Sequence, residues 1–147
     1  MEPWKWTWKN VDLPTDIADN LAMRFEADVY GQAVRQTDWD SATAQDIGLL
    51  VKLGNLYSRL ELVREGLQID RLLVRLNPEE PIYHYNLACS HSLLGEIDQA
   101  FEALSEAVSL GYDNLPFLRQ DRDLTNLKCD DRFDELLQHL ESSRESS

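Results

Sequence analysis

Laid against itself at an offset of 34 residues, the chain repeats between Ile47 and Asn114. The shift sets Leu53 on Leu87, Ser58 on Ser92, Leu60 on Leu94, Val74 on Val108 and Leu76 on Leu110, while Gly54 and Gly66 fall on Ala88 and Ala100. A fixed period of this length marks units that cannot bury their apolar faces alone and must stack. Within each unit apolar residues recur every three or four positions, the spacing of amphipathic helices. The first unit reads as helices over 42–60 and 62–76, the second as helices over 80–94 and 97–110. Leu49, Leu50, Leu53, Tyr57 and Leu60 should point inward from the first helix, and Val63, Leu67, Leu73 and Leu76 from the second. In the second unit Ala100, Phe101, Leu104, Ala107 and Val108 take that part. Gly54 and Gly66, without side-chain bulk, should let the first pair of helices cross at close range. Pro78 ends the first unit, Pro81 suits the first turn of the next helix, and Gly111 suits a left-handed helix stop.

Leu53-Gly54, Tyr57, Gly66 and Pro78 in one unit, with Asn86-Leu87-Ala88, Leu94-Gly95-Glu96, Ala100 and Ala107 in the other, resemble the tetratricopeptide repeat. The resemblance implies an all-α superhelix of two repeats, 47–80 and 81–114. Its first helices would line a concave groove that holds another polypeptide. Two residues depart from the symmetry: Glu61 stands where the second unit has Gly95, and Leu73 where it has Ala107. The first implies a different or strained turn between helices, the second a wider gap between units. One branch of the family clamps a C-terminal carboxylate with Lys, two Asn and two further basic residues. Asn55 and Asn86 match the two Asn, but Val51 stands at the first Lys position, and Pro116 and Gln120 at the others. Lys52, Arg59 and Arg119 are the nearby cations. The groove so implied binds an extended or helical peptide through Asn55 and Asn86 with Val51, Ile82, Tyr85 and Cys89, flanked by those three basic residues.

The flanks complete one domain. Residues 1–14 form an arm in which Trp4, Trp6 and Trp8 alternate with polar residues, placing three indoles on one side of an extended segment. Such an arm should lie against something, either the end of its own helical stack or a second copy. A leading helix is expected over 15–35, with Ile17, Leu21, Phe25, Val29 and Ala33 as its buried stripe and Gly31 marking a bend or early end. A connection to Ser41 follows, with Asp40 or Ser41 capping the next helix. Beyond Asn114, short helical pieces near 116–120 and 124–127 and a terminal helix over 133–140 close the stack, leaving 142–147 frayed. Leu118, Asp123-Leu124 and Arg132-Phe133 resemble the closing tail of many bacterial repeat proteins of this type.

Little in the sequence points to chemistry. His84 and His91 lie seven residues apart, about 10 Å along a helix, with no third ligand beside either, so no metal or other cofactor is expected. No glycine-rich phosphate loop and no nucleophile elbow occur. Cys89 and Cys129 lack any ligand spacing and read as free thiols of a reducing compartment, which with no apolar leader suggests the cytoplasm. A formal charge of −13 repels phosphate backbones and anionic lipid, so neither nucleic acid nor membrane is expected as a partner. The function expected is a non-enzymatic adaptor or chaperone-like module. The alternative is a homodimer built by the Trp arm and first helix, similar to the small secretion chaperones.

Overall fold

A computed structural model describes residues 15–146, so the Trp4, Trp6 and Trp8 arm lies outside the described residues. Among these, seven α-helices succeed one another: α1 Thr15–Gln36, α2 Ala44–Arg59, α3 Val63–Leu76, α4 Pro81–Leu93, α5 Ile97–Ser109, α6 Leu115–Gln120 and α7 Asp131–Glu145. Short 3-10 turns occupy Trp39–Ser41 and Arg122–Leu124, and no strand occurs among the described residues. The all-helical expectation therefore holds.

Caps explain where the helices begin. Thr43 and Asp46 form a reciprocal capping box: the Asp46 amide donates to Thr43 Oγ1 at 3.3 Å and the Thr43 amide to Asp46 Oδ2 at 2.7 Å. Asp40 and Ser41, expected as the caps of α2, instead belong to the preceding 3-10 turn. There Asp38 accepts from the Asp40 amide and from Ser41 Oγ, so α2 starts later. Glu80 and Asn114 accept from backbone amides at the starts of α4 and α6.

The repeat recurs in the turns. Leu62 N–H donates to Tyr57 O at 2.9 Å, and 34 positions on Glu96 N–H donates to His91 O at 2.9 Å. Each closes its helix through a left-handed residue, Glu61 at φ 56° and Gly95 at φ 75°. Gly111, at φ 107°, ends α5 with the same pattern, the Tyr112 amide donating to Ala107 O. The first turn is thus strained but not different, since Glu61 adopts the backbone that glycine adopts in its counterpart.

Each helix packs on the next from α1 through α5, and α7 returns onto α5. Two cores result. One joins Ala27 of α1, Leu50, Leu53, Leu56 and Leu60 of α2, and Ile69 and Leu73 of α3. The other gathers Tyr85 and Ala88 of α4 and Ala100, Leu104 and Ala107 of α5 with Leu118, Leu124, Leu127 and Phe133. The glycines mark the α2–α3 crossing. A Cβ on Gly54 would stand 3.3 Å from Ile69 Cγ2, and one on Gly66 3.9 Å from Tyr57 Cβ. Leu49, Tyr57, Val63, Leu76 and Val108, expected inward, are only half-buried, and Leu56 and Ile69 take up the space instead. Arg132 fastens α7 by lying 4.4 Å from the centroid of the Phe101 ring while paired with Asp98 and Asp130.

The largest correction falls on α1. Its expected buried stripe is exposed: Ile17 45%, Leu21 52%, Phe25 72% and Val29 48%, with Ala33 exposed too. The face turned to α2 is the opposite one, Ala27 and Gly31 with half-buried Met23, Tyr30 and Val34. Both faces carry apolar residues at helical spacing, and the one with the smaller residues lets the helix axes approach more closely. Gly31 accordingly sits at the crossing, where a Cβ would stand 3.5 Å from the Tyr57 hydroxyl, and α1 continues past it to Gln36 instead of bending. At the other end α7 runs to Glu145, beyond the Leu140 stop expected, because neither Gly nor Pro interrupts it.

Candidate functional site

One face of α4 is laid open along a cavity of about 560 Å³. Ile82, Tyr85, Asn86, Cys89, Ser90 and Leu93 recur on it at three- and four-residue steps. The opposite wall comes from the last part of α2, the α2–α3 turn and the first half of α3, including Asn55, Glu61, Gly66 and Asp70, and the end is closed by Phe117, Asp121 and Asp123. From Ile82 to Leu93 the floor is roughly 16 Å long at the helical rise, enough for about five extended residues.

Tyr85 anchors the floor. Its ring stacks on Tyr112 at 4.4 Å and 11°, tilts against Phe117 at 5.9 Å, and its hydroxyl donates to Asp121 Oδ2. Cys89 Sγ lies 3.7 Å from the same oxygen, while Asp121 Oδ1 accepts from the Asp123 amide at 2.9 Å. Burial, then the negative charges of Asp121 and Asp123, push the Cys89 thiol well above the usual thiol range, so it stays protonated and donates. Cys89, Asp121 and Asp123 bring donor atoms within 4.8 Å of one another. Burial pushes the Asp123 carboxyl up, helped by Asp121. Across the groove, Ser90 Oγ donates to Asp70 Oδ2 at 2.6 Å, and burial pushes the Asp70 carboxyl up to about 6 against that hydrogen bond and His91.

The structure brings together Asn55, Ile82, Tyr85, Asn86 and Cys89 of the expected groove residues. Four others lie elsewhere. Val51 is half-buried against the first core, and Lys52 and Arg59 are exposed outside the lining. Arg119 pairs with Glu141 of α7 and lines a different depression with Pro116 and Gln120. Val51, Lys52 and Arg59 share the Asn55 side of α2 but lie a turn before or after the Asn55–Ser58 stretch that lines the cavity, and Arg119 sits on α6. The histidines serve structure: His84 Nε2 lies 2.7 Å from Pro78 O and His91 Nδ1 2.6 Å from Glu96 Oε2. Asp70, Asp121, Asp123, Leu93 and Phe117 were missed. Asp70 left a signal, an acidic residue on the inward spacing of Leu67 and Leu73, and Leu93 continues the α4 spacing of Asn86 and Cys89; the others depend on how the tail folds back.

No family model matches the chain, and no solved structure matches it. A chloroplastic protein of Arabidopsis thaliana is similar to it, 37% identical over a 96-residue alignment covering 55% of this chain and 29% of that relative. The chain thus spans less than a third of that relative's length.

Proposed function

We propose that this chain is a tetratricopeptide-repeat adaptor or chaperone-like module that binds a peptide segment in the groove along α4, without catalysing a reaction. The observation that carries the reading is the open α4 face, where Ile82, Leu93 and neighbouring Phe117 stand 42%, 46% and 49% exposed beside Asn86. Apolar side chains displayed in a concavity with a few amides suit backbone and side-chain recognition of a peptide. The repeated Schellman-type turns and the glycine crossing support the repeat assignment. The compartment is the cytoplasm or, following the relative's printed location, a chloroplast. The reading is tested by selecting displayed random peptides on the purified protein. Enriched peptides should lose binding in Phe117→Ser and in Asn86→Ala, with unchanged helical circular dichroism; enrichment indifferent to both changes refutes it.

The exposed α1 stripe favours a second reading, self-association. An antiparallel pairing centred on Phe25 sets Leu21 opposite Val29 and Ile17 opposite Ala33. Sedimentation should then show a dimer that Phe25→Glu dissociates, and a monomer at high concentration removes the idea.

A further inference from the structure

We propose that the segment held in the groove is cationic, a short stretch in which Lys or Arg flanks an apolar residue; this rests on the peptide-binding reading above. Glu61, Asp70, Asp121 and Asp123 all line the cavity, and none of its lining residues is basic. Lys128 approaches from behind, but its Nζ donates to the carbonyl oxygens of Arg119 and Asp121 at 2.8 and 2.7 Å. Cys89 and Tyr85 stay protonated and add no positive charge. An acidic trough with exposed apolar residues repels an acidic peptide and draws a basic one, whose apolar side chain seats among Ile82, Leu93 and Phe117.

Glu61 adds its carboxylate to the lining of the cavity. It occupies a left-handed conformation that its repeat counterpart assigns to Gly95, so the turn itself has no need of a side chain there. Asp123 lines the closed end of the same cavity. The ammonium or guanidinium of the peptide meets these two, while Asp121 remains engaged with Tyr85 and the Asp123 amide.

The test uses two short fluorescent peptides with one apolar frame, one interleaved with Lys and the other with Glu, titrated into the full chain by anisotropy. The Lys peptide should bind at least about tenfold more tightly, with the preference shrinking as salt rises. Glu61→Gly and Asp123→Asn should each cut that preference severalfold, Glu61→Gly without lowering the melting temperature, whereas Asp134→Asn on α7 should change nothing. Equal affinity for both peptides, lost in Phe117→Ser, overturns the cationic partner and leaves the groove standing. Lys-peptide binding that survives Phe117→Ser, or that Asp134→Asn weakens as much as Asp123→Asn, assigns the preference to overall charge and overturns both. Binding of neither peptide overturns the proposal as well. Displacement of the Lys peptide by micromolar zinc, undone in Cys89→Ser, would assign the carboxylates to a metal instead.

Discussion

At Glu61 and Asp70 single side chains work against the fold that holds them. A non-glycine residue in the left-handed region costs roughly 1–2 kcal/mol, and glycine returns about half of that relief through its greater unfolded-state freedom. Glu61→Gly is therefore expected to raise unfolding stability by up to about 1 kcal/mol in urea titration. A clear loss would mean that the glutamate side chain supports its turn. Asp70 behaves differently because its carboxyl is buried and titrates at about 6, above its ordinary value of 3.8. Between those values the unfolded chain has released a proton that the folded chain keeps. Stability is then highest below the lower value and falls as pH rises towards the upper one. Asp70→Asn keeps an acceptor for Ser90 without the charge. It should stabilise the protein at pH 7 by roughly 2 kcal/mol and flatten the pH dependence between about 4 and 6. Thermal unfolding across that range checks it.

The helices carry information beyond their existence and order. All seven follow from apolar spacing, proline and glycine placement, and the repeat, six of them with ends that differ by no more than a residue or two. Which face of a helix turns inward is less well encoded when two faces are apolar, and α1 is the case in point. Phe25→Lys on its exposed stripe should move stability by no more than about 0.5 kcal/mol, whereas Ala27→Leu on the α2 side should cost about 1–3 kcal/mol by overpacking. The reverse ranking would restore the stripe of Ile17, Leu21 and Phe25 as the buried face. Leu104, fully buried in the second core, should cost about 2–5 kcal/mol on truncation to Ala. Both measurements need only equilibrium denaturation.

Over the whole molecule the net charge of −13 is spread along helices that already repel one another. Screening should raise the melting temperature as sodium chloride increases from low to physiological strength, while the same salt weakens a cationic ligand. A melting temperature that falls with salt would mean that ion pairs such as Arg132 with Asp98 outweigh the repulsion. From the amino-acid order alone come the helical class, the 34-residue period, the close crossings at Gly54 and Gly66, and the α4 face with Asn86 and Tyr85, because each depends on contacts within one helix or between successive ones. The acidic closure of the groove by Asp121 and Asp123, the removal of Arg119 to another surface, and the inward face of α1 were settled only in three dimensions. They depend on how the C-terminal tail folds back and which of two apolar stripes fits the neighbouring helix, and side-chain volume across an interface decides that where periodicity along one chain does not.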